Sequence, residues 1–146
     1  MDVFHPSSCI NANIRATTRV ITQFYDAVLK PSGLLSTQFS LMAALIEAEP
    51  ISVTELADLL GMDRTTLARN LSPLERDGWL VIAVGEVDKR QRIVTLTDAG
   101  RERYQQALNL WLTAQTHLID HFGATNWEAL LVKLQSLSAI AQETSA

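Results

Sequence analysis

Only one cysteine, Cys9, occurs in the 146 residues, so no disulfide can staple the chain to itself. No apolar run approaches the ~20 residues that a bilayer-spanning helix needs. The first residues, MDVFHPSSCINANIRA, hold no basic segment followed by an apolar core, so a secretory signal is not expected. A phosphate-cradling glycine loop, a cluster of metal ligands and a serine or cysteine in a nucleophile elbow are all missing. An enzyme is therefore not expected, nor is any cofactor. No internal repeat, low-complexity tract or long linker interrupts the chain. With 47% hydrophobic and 19% charged residues it can bury a core. A soluble, cytoplasmic protein that does not enter a membrane, folded as one compact unit, is the expectation.

What is present is an uneven distribution of charge. The net charge is −4. Between Asp63 and Tyr104, however, eight cations (Arg64, Arg69, Arg76, Lys89, Arg90, Arg92, Arg101 and Arg103) stand against seven acids, a net of +1. The remainder holds four cations and nine acids, a net of −5. Charges farther apart than about 10 Å are screened at moderate salt, so the local excess matters more than the total.

Periodicity predicts a helix over 11–29, with Ile14, Ile21, Tyr25 and Val28 on one stripe, stopped by Pro31 and Gly33. A second helix over about 36–49 carries Phe39, Met42, Ala43 and Ile46, and Pro50 ends it. Ser52 and Glu55 form a capping box that opens a short third helix, with Leu56, Leu59 and Leu60 as its buried face and Gly61 as its end. Asp63 caps the next helix, with Leu67, Leu71 and Leu74 inward and Gly78 as terminator. Two short helices joined by a tight turn containing glycine form a helix-turn-helix. Trp79–Val84 and Arg92–Thr97 alternate as two strands around a charged loop, and 51–53 can add an edge strand. Thr97 then caps a long helix over 98–122, and Thr125 with Glu128 forms a capping box for the last one. The fold class is thus mainly α with a small β-wing: a winged helix-turn-helix flanked by N- and C-terminal helices.

Three stretches resemble the MarR family of bacterial transcriptional regulators. LADLLGMDRTTLARNLSPLERDGWL looks like that family's helix-turn-helix, VDKRQRIVTLTDAGR like its Asp-x-Arg wing followed by Leu-Thr-x-x-Gly, and YDAVLKPSGLLSTQFSLM like its first helical junction. The resemblance implies a homodimer that binds double-stranded DNA, represses or activates genes, and responds to a small molecule or an oxidant. Residues 35–97 would be the DNA-binding region, and residues 1–34 and 98–146 an intertwined dimerisation region.

On this reading Arg64, Thr65, Thr66, Arg69 and Asn70 form the exposed face of the recognition helix, Arg69 suited to guanine and Asn70 to adenine. The two threonines suit phosphates or a thymine methyl. The plain alternative is a solvated helix surface. The wing tip carries Asp88, Lys89, Arg90 and Arg92. By resemblance Arg90 enters the minor groove and Asp88 orients it. Lys89 and Arg92 are assigned to phosphates. A charged turn that merely blunts a sheet edge is the alternative. The apolar residues Trp111, Leu118, Phe122, Trp127, Leu130, Leu134, Leu137 and Ile140 exceed what one winged-helix module can cover, which points to a second copy or to packing among themselves.

The signal sensed is less sharply written. Arg15 and Arg19, one turn apart, can hold the carboxylate of a small aromatic effector, with Phe39, Met42 and Trp111 as walls; they can equally be surface arginines. Cys9, near the start of the first helix, suits a redox-sensing alternative. His117 and His121 share a helix face next to Asp120, but no further ligand is placed to complete a metal site, and none is assigned. In a different class, a winged helix can serve protein contacts without DNA, though the basic wing tip argues against that.

Overall fold

The computed structural model describes residues 2–143. Residue 1 and residues 144–146, the outer ends of the expected dimerisation region, lie outside the described residues. After a 3₁₀ turn at Pro6–Ser8, the chain forms α1 (Ile10–Leu29), α2 (Ser36–Ala48), β1 (Ile51–Ser52), α3 (Val53–Leu60), α4 (Arg64–Arg76), β2 (Leu80–Val84), β3 (Arg92–Leu96), α5 (Asp98–Phe122) and α6 (Ala124–Glu143). Two compact units are distinguished, one running to Trp111 and the other beginning at Leu112. None of the described helices is long and apolar enough to cross a membrane.

The first unit is built around leucine. Leu29, Leu34, Met42, Leu45, Leu56, Leu67, Leu71, Leu74, Leu80 and Val94 are fully buried. Burying a side chain of this size stabilises by roughly 1.5–3 kcal/mol before conformational entropy is set against it. The expected inward set of α4 is all buried. In α3, Leu56 is buried as expected but Leu59 is 59% exposed, and Ala57 takes the inward place. At 100° per residue Leu59 turns away from the side shared by Leu56 and Leu60, so a short helix packed along one line leaves it outside.

The local signals explain the boundaries. The Ser52 hydroxyl accepts from the Glu55 amide at 3.2 Å, and the Glu55 carboxylate accepts from the Ser52 amide at 3.0 Å, so the capping box closes in both directions. Gly61 leaves α3 at φ +61°, the left-handed conformation that a β-carbon disfavours. Pro73 lies inside α4 and cannot donate to the carbonyl of Arg69, yet the helix continues to Arg76. The sheet is antiparallel in the order β1-β3-β2, with Leu80 opposite Leu96 and Val84 opposite Arg92. β1 contributes only Ile51 and Ser52, paired with Val94 and Ile93.

α6 departs from its expected start. The helix begins at Ala124 behind Gly123, whose carbonyl accepts from the Trp127 amide at 3.0 Å. Thr125 is therefore already inside the first turn and cannot cap it, so the Thr125–Glu128 box does not form. None of the described α6 residues is buried, and Trp127, Leu130, Leu131, Val132 and Ile140 are exposed. On α1 the same holds for Ile10, Ile14, Val20 and Ile21.

Candidate nucleic-acid interface

The start of α4 is held by one carboxylate. Asp63 Oδ1 accepts from the Thr66 amide at 2.9 Å, and Oδ2 accepts from the Thr66 hydroxyl at 2.6 Å. The hydroxyl bond, then the amide bond, hold the Asp63 carboxyl below the usual aspartate range, because both favour the ionised form. The Thr66 hydroxyl thus belongs to the cap of α4, while the residue itself stays exposed on the helix. Arg64, Thr65 and Arg69 are exposed along the same helix. Asn70 is half-buried: its amide donates to the sulfur of Met62 at 3.8 Å, and it borders a neighbouring cleft.

The wing is shaped by its own loop. Gly85 donates its amide to the Gln91 carbonyl at 3.1 Å, and Gln91 donates to the Asp88 carbonyl at 3.0 Å. A β-carbon on Gly85 would meet the Asp88 carbonyl oxygen at 2.6 Å, so only glycine allows this closure. Asp88 Oδ1 accepts from the Arg90 amide at 2.9 Å and from its Nε at 3.4 Å. The Arg92 guanidinium donates to the carbonyls of Lys89 at 3.4 Å and Gln91 at 3.3 Å. Lys89 and Arg90 are exposed.

The helix-turn-helix and the wing meet at an open cleft of about 410 Å³ lined by Ser52, Val53, Thr54, Glu55, Arg64, Arg90, Gln91 and Arg92. Three arginines from α4 and the wing therefore face one hollow beside the start of α3. The Glu55 carboxyl is held below the usual glutamate range, chiefly by the Ser52 hydroxyl. Sequence reasoning missed Thr54 and Gln91 as members of this surface. Neither is charged, and only the fold brings them beside Arg64.

A second hollow, of about 320 Å³, lies between α1, α2 and α4 within the first unit. Its walls include Ile21, Thr22, Tyr25, Ser40, Phe39 and Trp111. Phe39 stacks on Trp111 with ring centroids 5.7 Å apart and on Tyr104 at 5.2 Å. Partial burial raises the phenol pKa of Tyr25. Of the five residues expected to hold an effector, the structure brings together Phe39 and Trp111. Met42 is fully buried in the leucine core and is no wall of the cleft. Arg15 and Arg19 do not line it either. Arg15 precedes Thr22 by seven residues, about 10 Å along a helix rising 1.5 Å per residue. Asp26, farther along α1, accepts from the Ser36 amide at 2.7 Å and so supports the start of α2.

Cys9 is exposed at the N-cap of α1. In the second unit the His117 and His121 rings lie 4.4 Å apart, and His121 Nδ1 is 2.7 Å from the His117 carbonyl oxygen. Among the described residues no group of three or more histidine, cysteine, aspartate or glutamate side chains converges as a metal site.

A capped reading helix beside a basic antiparallel wing defines a winged helix-turn-helix protein. Residues 32–91 match the model of the MarR family. The chain is similar to MosR, a transcriptional regulator of M. tuberculosis solved in complex with DNA: 33% identity, a TM-score of 0.85, and coverage of 93% of this chain and 98% of that one. It is also similar to CouR, a transcriptional repressor solved on a 23-mer DNA duplex: 26% identity, a TM-score of 0.83, and coverage of 94% and 98%. The uncharacterized HTH-type transcriptional regulator YwoH of Bacillus subtilis (strain 168) is 29% identical over 116 residues, 80% of this chain and 84% of that protein. The chain belongs to the MarR family and is a DNA-binding transcriptional regulator.

Proposed function

We propose that the protein is a cytoplasmic homodimeric repressor that reads an inverted-repeat operator and lets go of it when a small aromatic or anionic ligand binds. The observation that carries the DNA-reading part is the convergence of Arg64, Arg90 and Arg92 on one hollow beside an exposed Arg69. Arg69 reads a guanine edge in the major groove. Arg90, steadied by Asp88, enters the adjacent minor groove, where narrow A·T-rich steps concentrate negative potential. Arg64, Lys89 and Arg92 take phosphates, and Thr65 supports them. Residues 35–97 form the reading region. Residues 1–34 and 98–146 form the dimer, whose partner covers the apolar α6 side chains left exposed in one chain. Twofold symmetry sets the half-sites about one helical turn, roughly 10 base pairs, apart. CouR, which is similar in fold, is named a repressor.

The test is fluorescence anisotropy with a labelled operator and a scrambled duplex over a salt series, joined to sedimentation of the protein alone. We expect a dimer at micromolar concentration, steep weakening with salt on both duplexes, and a large preference for the operator. A salt-insensitive or absent interaction with both duplexes refutes DNA reading. Single copies at micromolar concentration refute the paired geometry.

The peroxide-sensing alternative rests on the exposure of Cys9 at the start of α1. Treating the protein with peroxide while it sits on DNA, beside the Cys9→Ser variant, separates it from effector release.

A further inference from the structure

The end of α5 carries a pair of histidines that DNA reading does not use. His117 and His121 are four residues apart, so they stand one above the other on one face of the helix. Both are exposed. Their rings are 4.4 Å apart, centroid to centroid, and tilted by 41°. His121 Nδ1 lies 2.7 Å from the His117 carbonyl oxygen. A ring nitrogen meets a carbonyl by donating to it, so neutral His121 keeps its lone pair on Nε2. Metal-ligating histidines are oriented in this way, by giving their other ring N–H to a carbonyl or a carboxylate.

The ring separation discriminates among ions. A ring nitrogen holds an ion of zinc's size at about 2.0–2.1 Å, which puts the ion about 3.2 Å from the ring centroid. Two rings at right angles about the ion then have centroids about 4.5 Å apart, whereas a tetrahedral angle needs about 5.2 Å. The observed 4.4 Å fits the right angle, which belongs to adjacent positions of a square-planar or octahedral ion. The surroundings favour positive charge. His121 lies in the last turn of α5, at the negative end of the helix dipole. Asp120 stands three residues after His117 on the same side of the helix, and residues 112–146 hold three acids against one lysine. Among the described residues no third protein ligand converges, so water completes the coordination.

We propose that His117 and His121 form an open, two-ligand site for a late first-row divalent ion, nickel(II) or copper(II), held in adjacent positions with water in the others. Each chain carries its own site, and the bound ion clips the last two turns of α5 together.

Titration calorimetry of the untagged full-length protein with nickel chloride at neutral pH tests it. One ion per chain is expected, with Kd below about 0.1 mM. Weaker binding overturns the proposal, and so does one ion per pair of chains. His117→Asn and His121→Asn each remove one of the two ligands, and each should weaken binding at least about tenfold. Undiminished binding in either variant overturns the pair. His5→Asn and Cys9→Ser should bind as the parent does, and a tenfold loss in either places the ion at the N-terminal segment and overturns the assignment. Zinc chloride should bind more weakly than nickel chloride, and tighter binding of zinc overturns the right-angle geometry. One equivalent of copper(II) supplies a readout on the parent protein that no variant's folding can disturb. Its electron paramagnetic resonance spectrum should show coupling to two imidazole nitrogens. Coupling to a single nitrogen, or a sulfur-to-copper charge-transfer band, overturns the site.

Discussion

Gly100 rests against the backbone of Trp79: a β-carbon at Gly100 would overlap the Trp79 carbonyl oxygen and come within 2.8 Å of its carbonyl carbon. The same carbonyl accepts from the Thr97 amide at 3.1 Å, and the Thr97 hydroxyl donates to the Gly78 carbonyl at 2.7 Å while accepting from the Gly100 amide at 3.0 Å. The Leu-Thr-x-x-Gly pattern is thus a joint in which the first turn of α5 is locked onto the start of the wing. Gly100→Ala must push two backbone segments apart, and an overpacked site of this kind costs about 1–3 kcal/mol. Urea unfolding at fixed protein concentration should show that loss. A midpoint equal to the parent's would mean that the joint yields freely.

Glu49 makes a second tie across the same region. One of its carboxylate oxygens accepts from the Leu96 amide at 2.7 Å and the other pairs with Arg101, while the side chain is only 8% exposed. Removing the carboxylate in Glu49→Ala leaves a backbone N–H in β3 without its acceptor, a loss of about 1–3 kcal/mol. Glu49→Gln keeps an acceptor oxygen and should lose less. Comparing the two unfolding midpoints checks this, and equal losses would assign the effect to the ion pair instead.

Much of this was legible because it is local. The Ser52–Glu55 box, the Asp63 cap, the leucines of α4 and the alternation of β2 and β3 are set by spacing within a few residues. What was not legible depends on what a residue meets across the fold. Leu59 looked apolar enough to be inward, and the phase of a short helix left it out. Thr125 and Glu128 have capping-box spacing, but Gly123 starts α6 earlier. Arg15 and Arg19 share a face with Thr22, yet they lie outside the cleft along α1. Asn70 has the right chemistry for adenine, and only the fold shows that it also touches Met62 at the edge of a cleft.

The Asp63 cap gives a pH dependence whose sign is fixed. Its carboxyl is depressed in the folded chain, chiefly by the Thr66 hydroxyl, so the ionised cap stabilises the fold above the unfolded aspartate value of about 3.9. That contribution is lost as the pH falls through the lower folded value. Asp63→Asn retains a capping oxygen but no charge. The parent should therefore melt above the variant at neutral pH, and the gap should close on acidification below about pH 4. A gap that stays constant across that range would show that the charge contributes nothing.

On DNA, Arg69 and Lys89 should fail in different ways. Arg69→Ala should cost about 1–3 kcal/mol on the operator and relax the preference at one base position. Lys89→Ala should weaken every duplex similarly and flatten the plot of log affinity against log salt by about 0.9 for each protomer. An unchanged slope removes the phosphate contact assigned to Lys89.

Asp88 offers a test in which charge and positioning predict opposite signs. It is an acid at the tip of a wing that approaches phosphates, so deleting it lowers repulsion. Its Oδ1 also holds both the amide and the Nε of Arg90. In Asp88→Asn an amide oxygen can still accept from the Arg90 backbone, so the turn survives while the charge goes. In Asp88→Ala the charge goes and the turn goes with it. If Asp88 serves by shaping the tip, Asp88→Asn binds the operator about as well as the parent or better, whereas Asp88→Ala binds several-fold more weakly despite its extra positive charge. Anisotropy titrations at one salt concentration decide it. Tighter binding by Asp88→Ala would mean that Arg90 finds the groove without help and that repulsion is all Asp88 contributes.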